Sequence, residues 1–248
     1  MATSGFRHQS FMDHGSPSRH IPMIAAVIKA RLEQNHRCFY FNSEPMVAGL
    51  RSNLAEIGVD LARETANNSL VFSSHLGHLS EDQTFDIDRM MATFEDMLNQ
   101  TLRDGYVGLW ASGDVAWEFG PKRDFGQLLQ YERQLEDFVC THAEISGICL
   151  YHGSVLPANA MQTGHDVHPS FFISETQSRW NPAYRARRHV EPMKSPENIL
   201  EVSLPNDILM QAAAAADRQG ITLDEFINRA ITDKCYHAEQ KNLKNGRD

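Results

Sequence analysis

Cysteine is scarce in this chain: 248 residues hold four, Cys38, Cys140, Cys149 and Cys235, and no two stand at the C-x-x-C spacing. That excludes a disulfide framework and a Cys-pair metal ribbon. No apolar run approaches 18 residues, and the first residues lack a basic start leading into an apolar signal core, so a cytosolic protein without membrane partners is expected. Positive charge is also in deficit, with 23 Lys and Arg against 32 Asp and Glu, a net charge of −9. Such a chain does not coat nucleic acid, although a local basic patch can still touch it. Missing as well is a phosphate-cradling loop: after the first candidate strand the chain reads Asp13-His-Gly-Ser-Pro-Ser-Arg-His20, with no G-x-x-x-x-G-K-[ST]. Mg-ATP turnover therefore has no support at the position where it needs a glycine turn and a lysine.

What is present is an alternation of short apolar runs and helical patterns. Strands are expected at His8–Asp13, Arg37–Phe41, Leu70–Ser73, Gly105–Asp114, Glu144–Tyr151 and Phe171–Ile173. Helices are expected at Ile24–Gln34, Pro45–Ile57, Ile87–Leu102 and Phe125–Val139, where apolar residues recur at three- and four-residue spacing. Repeated strand–helix units predict an α/β fold, a mostly parallel sheet wrapped by helices.

Composition then shifts. Glu175–Lys194 holds five basic residues (Arg179, Arg185, Arg187, Arg188, Lys194) against Glu175 and Glu191, with Pro182 and Pro192, and reads as a linker. Beyond it, Ile199–Leu204 alternates, Ile208–Gln219 is a helix ended by Gly220, and Thr222 with Glu225 forms a capping box for a second helix carrying Phe226 and Ile227. The division expected is 1–174, a linker at 175–196, and a small strand-helix-helix module at 197–248. Fifty residues bury little alone, so the module is expected to dimerise.

Two resemblances carry these readings further. His8, Thr84-Phe-Asp86-Ile-Asp88-Arg-Met-Met91, Gly113-Asp114-Val-Ala-Trp117, Tyr131-Glu132-Arg-Gln-Leu135, Cys149-Leu-Tyr151 and His168-Pro169 occur in the order that resembles the MEDS domain. That is a RecA/KaiC-like sensory fold of bacterial and archaeal signalling proteins; where the family usually has an acid after the Cys-x-Tyr strand, this chain has His152. Val202-Ser-Leu-Pro205 through Gly220-Ile-Thr-Leu-Asp-Glu-Phe-Ile227 resembles a ribbon-helix-helix module, the paired-strand dimer of small repressors. The second resemblance implies a dimer interface of Leu200, Val202, Leu204, Phe226 and Ile227, with Glu201 and Ser203 facing DNA. A carboxylate is a poor reader among phosphates. Ser195–Asp248 carries nine acids and six bases, a difference of −3, so contact with duplex DNA would lean on Arg185, Arg187, Arg188 and Lys194.

A ligand pocket is expected at the carboxyl edge of the sheet, from His8, Asp114, Trp117, Glu118, Tyr131, Glu132 and Tyr151. Twelve histidines give three pairs of ligand-like spacing, His75-x-x-His78, Cys149-x-x-His152 and His165-x-x-His168, yet none lies in a pattern that assigns a metal, and no metal or other cofactor is expected. Nor does any nucleophile constellation accompany Asp114 and Glu118, so no catalytic residue is assigned and the chain is not expected to be an enzyme. The function expected is a cytosolic sensor of a small-molecule or protein signal, coupled to a homodimeric module in transcriptional regulation; the alternative is an interaction scaffold that only dimerises.

Overall fold

The computed structural model describes residues 7–184, 203–223, 226, 227 and 230. Its centre is an eight-stranded sheet in the order β3-β2-β4-β5-β1-β6-β7-β8. The strands are β1 (His8–Asp13), β2 (His36–Phe41), β3 (Leu70–Ser73), β4 (Gly108–Asp114), β5 (Ile145–His152), β6 (Ser170–Ser174), β7 (Gln177–Trp180) and β8 (Ser203–Pro205). The first six run parallel, and β7 and β8 are added antiparallel at the β6 edge. Every residue of β4 is buried, as expected of a strand covered on both faces by crossover helices.

Among the described residues the α-helices are α1 (Ile21–Glu33), α2 (Glu44–Glu56), α3 (Leu61–Ala66), α4 (Ile87–Arg103), the single turn α5 (Val115–Glu118), α6 (Leu128–Thr141), α7 (Ala158–Val167) and α8 (Asn206–Gln219). Two apolar cores divide them. Ile24 and Ile28 of α1 and Leu50 and Leu54 of α2 pack with Tyr40, Trp110, Ile148 and Leu150 on one face of the sheet. On the other, α4, α6 and α7 pack through Phe94, Tyr131, Leu135 and Ala160 against Leu109, Ile145 and Tyr151. Alternation along β5 decides which side chain serves which face. Thus Cys149 and Tyr151 lie under α6 and α7, while Ile148 and Leu150 lie under α1.

Local chemistry fixes the element ends. Asp86 caps α4 by accepting from the Arg89 amide at 3.0 Å, and Ile87, Met90, Phe94 and Leu98 form its buried stripe. The α7 helix lacks such a stripe because its buried face is small: Ala160, Gly164 and Val167. Gly164 sits against the Tyr151 ring so closely that a Cβ there would overlap it.

Two expectations for the C-terminal third need correction. Gln177–Trp180, inside the segment read as linker, is a strand paired antiparallel with β6 on one side and β8 on the other; its short polar sequence carries no apolar alternation to mark it. Ser203–Pro205 pairs with Gln177–Arg179 of the same chain, whereas the ribbon reading pairs Ser203 and Leu204 with a second chain. The following helix does form, and Gly220 ends it with φ +66°, the left-handed conformation glycine adopts without strain. Leu209, Ala213 and Ala216 of α8 are buried, and Phe226 and Ile227 are half-buried. Arg185, Arg187, Arg188, Lys194, Leu200, Glu201 and Val202 lie outside the described residues.

Candidate functional site

Under α6 and α7 the sheet carries a polar cluster inside an apolar shell. β1 opens with His8, β5 supplies Cys149 and Tyr151, and α6 presents Glu132 and Glu136 one turn apart on its buried side. His168, the residue that ends α7, closes the fourth side. Four donor atoms, His8 Nε2, Glu132 Oε2, Cys149 Sγ and His168 Nε2, lie within 4.8 Å of one another.

The histidines and carboxyls are held from behind. His8 Nδ1 is 2.7 Å from Glu136 Oε2, and His168 Nδ1 donates to the Gly164 carbonyl at 2.8 Å. The Tyr151 hydroxyl donates to Glu132 Oε1, and the Tyr184 hydroxyl donates to Glu136 Oε1 at 2.7 Å. His168 Nε2 is buried without a hydrogen-bond partner among the described residues.

Burial dominates the electrostatics. It raises the Glu132 carboxyl, against the opposing pull of His8 and the Tyr151 hydrogen bond. It drives Cys149 well above an ordinary thiol, helped by Glu132 and Glu118. His168 falls well below the usual imidazole range through burial and the neighbouring His8 charge. His8 and Glu136 are the exception, because burial opposes each charge yet their contact outweighs it: His8 is raised and Glu136 lowered. A cavity of about 30 Å³ adjoins the cluster, lined by His8, Cys149, Glu118, Tyr131, Phe94 and Leu135. Glu118 lies over Gly113, and burial together with Glu132 and Asp114 pushes it up to about 8.

Of the seven residues expected to bind ligand, His8, Glu118, Tyr131, Glu132 and Tyr151 thus converge on this face. The other two lie outside the cluster, Asp114 on the opposite face and Trp117 against the apolar core of this one. Asp114 points to the α1 face, where it caps α5 by accepting from the Trp117 amide at 3.0 Å and stands 3.5 Å from His152 Nε2. Trp117 packs edge-on to His78, ring centroids 6.2 Å apart, and does not line the cavity. The cause is strand alternation: Asp114 and Gly113 are consecutive in β4, so they face opposite ways.

Alternation also breaks the histidine pairs. Cys149 and His152, three apart on β5, serve opposite faces; His75 and His165 are outside the core while His78 and His168 are inside it. The useful members, Cys149 and His168, come from different pairs and meet through His8 and Glu132. Glu136 and Tyr184 were missed. For Glu136 a signal existed: with Glu132 it flanks the apolar stripe Leu128, Tyr131, Leu135 and Val139, which puts both carboxyls at the edge of a buried face. Tyr184 lies in irregular chain after β7, where no periodicity marks it.

A second polar cluster lies at the carboxyl edge on the α1 face. Asn42 Nδ2 donates to the Tyr40 hydroxyl at 3.0 Å, and that hydroxyl is 2.6 Å from His20 Nε2. His20 and His152 are packed with ring centroids 5.2 Å apart. Burial and the His152 charge lower His20 to about 4, so its ring is neutral near pH 7.

Comparisons with known proteins agree with this architecture. The family model described as the methanogen/methylotroph, DcmR sensory domain (MEDS) matches residues 14–169, more than half of the chain. No curated protein matches. Among solved structures, the fold is similar to that of PH0321, an uncharacterized protein from Pyrococcus horikoshii crystallised with an unknown peptide. The TM-score is 0.51 at 14% identity, over 66% of this chain and 76% of that one.

Proposed function

The chain belongs to the MEDS family, which implies a signal-sensing regulatory role, and we propose that the signal is received at the buried cluster under α6 and passed to the C-terminal segment. One observation carries this reading. Tyr184, the last described residue before the segment beginning at 185, hydrogen-bonds Glu136, and Glu136 holds His8. A ligand that draws on His8 or Glu132 thereby changes the anchor of the chain leading out of the domain. The same route is braced by Asn181, whose amide donates to the His168 carbonyl at 2.8 Å. A binding difference between two placements of this exit segment is what converts occupancy into output.

The finer reading retains transcriptional regulation through a homodimer. β8 is the last strand of the sheet, and a second copy's β8 added antiparallel to its outer side would build one continuous sheet across two chains. The interaction scaffold shares this dimer and differs only in lacking affinity for DNA.

Hydrogen exchange tests the coupling on the full chain. Glu136→Gln and Tyr184→Phe should both speed amide exchange in 177–184 and 203–220 while leaving β4 protected. Unchanged exchange in those segments in both variants removes the proposed route.

A further inference from the structure

We propose that His8 Nε2, Glu132 Oε2, Cys149 Sγ and His168 Nε2 form a four-ligand site for one divalent transition metal ion, with zinc as the occupant. Three of the ligand-atom separations are those of a tetrahedron around such an ion, and a fourth is wider. Zinc bonds of about 2.0–2.1 Å to N or O and about 2.3 Å to S place neighbouring ligand atoms roughly 3.3 to 3.6 Å apart. Here His8 Nε2 and His168 Nε2 each stand 3.5 Å from Glu132 Oε2. Cys149 Sγ stands 3.4 Å from His8 Nε2 and 4.0 Å from Glu132 Oε2. The two nitrogen–oxygen pairs are too long for strong hydrogen bonds and short enough for a shared ion.

Lone-pair direction gives a second, independent reason. A backbone carbonyl can only accept, so His168 Nδ1 carries the proton it gives to Gly164, and the neutral ring's Nε2 lone pair points into the cluster with no partner. His8 is held in the same way by Glu136, which leaves its Nε2 directed at Cys149 and Glu132. Metal-bound histidines are oriented by a carboxylate or carbonyl behind the ring in this manner. Tyr151 does the same for the non-ligating oxygen of Glu132.

Charge selects the ion. On binding, the Cys149 thiol loses its proton to solvent, as do His8 Nε2 and the Glu132 carboxyl wherever they carry one, and one thiolate plus one carboxylate neutralise a 2+ ion in a space that otherwise penalises either charge. Two imidazoles and a thiolate favour zinc or cobalt over magnesium or calcium, which take oxygen ligands. The ligands come from β1, β5, α6 and the end of α7, so the ion would tie together the two sides of the crossover that places β1 between β5 and β6.

The site coincides with the one assigned to sensing, but the test does not require a signal. The full chain, stripped with a chelator under reducing conditions, is titrated with Co²⁺ and then Zn²⁺. One equivalent of Co²⁺ should give visible ligand-field bands and a near-ultraviolet thiolate-to-cobalt band, both erased by Zn²⁺. Cys149→Ser should remove the thiolate band, and Cys38→Ala, on the opposite face, should keep it. Glu136→Gln, which leaves all four ligands, should weaken binding by about 10- to 100-fold. Circular dichroism checks that each variant is folded. Absence of stoichiometric Co²⁺ binding by the native chain, or a thiolate band that survives Cys149→Ser, overturns the assignment. A bound ion with unchanged exchange in the coupling variants would leave the metal and remove the sensory route; the reverse pattern would do the opposite.

Discussion

At the residue scale, the protein repeatedly buries a titratable group, and burial sets its charge unless a close pair such as His8–Glu136 outweighs it. His20 shows the energetic consequence. Its folded-state value of about 4 lies below the ordinary 6.5 of an unfolded histidine, so the unfolded chain binds the extra proton first. The stability contribution is complete above pH 6.5 and is lost as pH falls toward 4, by about 2 kcal/mol at pH 4.5. Urea unfolding at pH 7.5 and 4.5 should show His20→Gln losing about 2 kcal/mol less than the native protein; equal losses would mean the ring is not held neutral. Gly164 sets two effects against each other. Alanine in mid-helix gains about 1 kcal/mol in propensity, but its Cβ would overlap the Tyr151 ring, and overpacking costs about 1–3 kcal/mol. Gly164→Ala should therefore lower the urea midpoint, and a raised midpoint would show that Tyr151 moves freely. Tyr151 is pinned by Glu132, which is why it should not.

At the element scale, the edge pair β7–β8 is the join between the sensory sheet and the C-terminal helix. Deleting everything from Ser195 removes β8 and α8, and should expose the β7 amides to exchange. If the dimer is built through this segment, light scattering should find a dimer for the full chain and a monomer for the deletion; the same oligomeric state in both would show that this segment does not build it. Leu209→Ala, at a position 1% exposed, should loosen the same join by about 2–4 kcal/mol and accelerate exchange in Gln177–Trp180. The elements most legible in the sequence were those whose apolar period is strong: α4 was expected at Ile87–Leu102 and occurs at Ile87–Arg103. Those missed have physical reasons. The α7 helix buries small residues that leave no apolar stripe, and β7 is a short polar strand without apolar alternation. The site was half legible because strand alternation, applied to β4, separates Asp114 from Glu118, whereas the meeting of His8, Cys149 and His168 depends on tertiary packing that no spacing encodes.

At the scale of the whole molecule, the acidic balance limits any contact with DNA. A net charge of −9 opposes approach to a phosphate backbone, so binding must come from a local patch and must weaken with salt. Duplex DNA binding is expected to be on the order of micromolar or poorer at physiological salt. Replacing Arg185, Arg187 and Arg188 with Ala should abolish it, and Glu201→Thr should strengthen it, both measurable by fluorescence anisotropy across a salt series. Salt-insensitive binding, or weaker binding by Glu201→Thr, would show that Glu201 reads a base. No DNA affinity in either form would favour the scaffold.

The position of β1 has a further consequence, for synthesis. Of the described strands it leaves the ribosome first, yet its partners are β5 and β6, so about 140 residues must follow before the nascent chain can cover it. At roughly 5–20 residues per second that is a wait of about 7 to 30 seconds. Throughout it, Phe11 and its neighbours have no sheet to enter, and a message broken before the codon for Ile145 would release a fragment that can never bury them. Such fragments should collect in inclusion bodies or on chaperones, and those that extend past Ser174 should not.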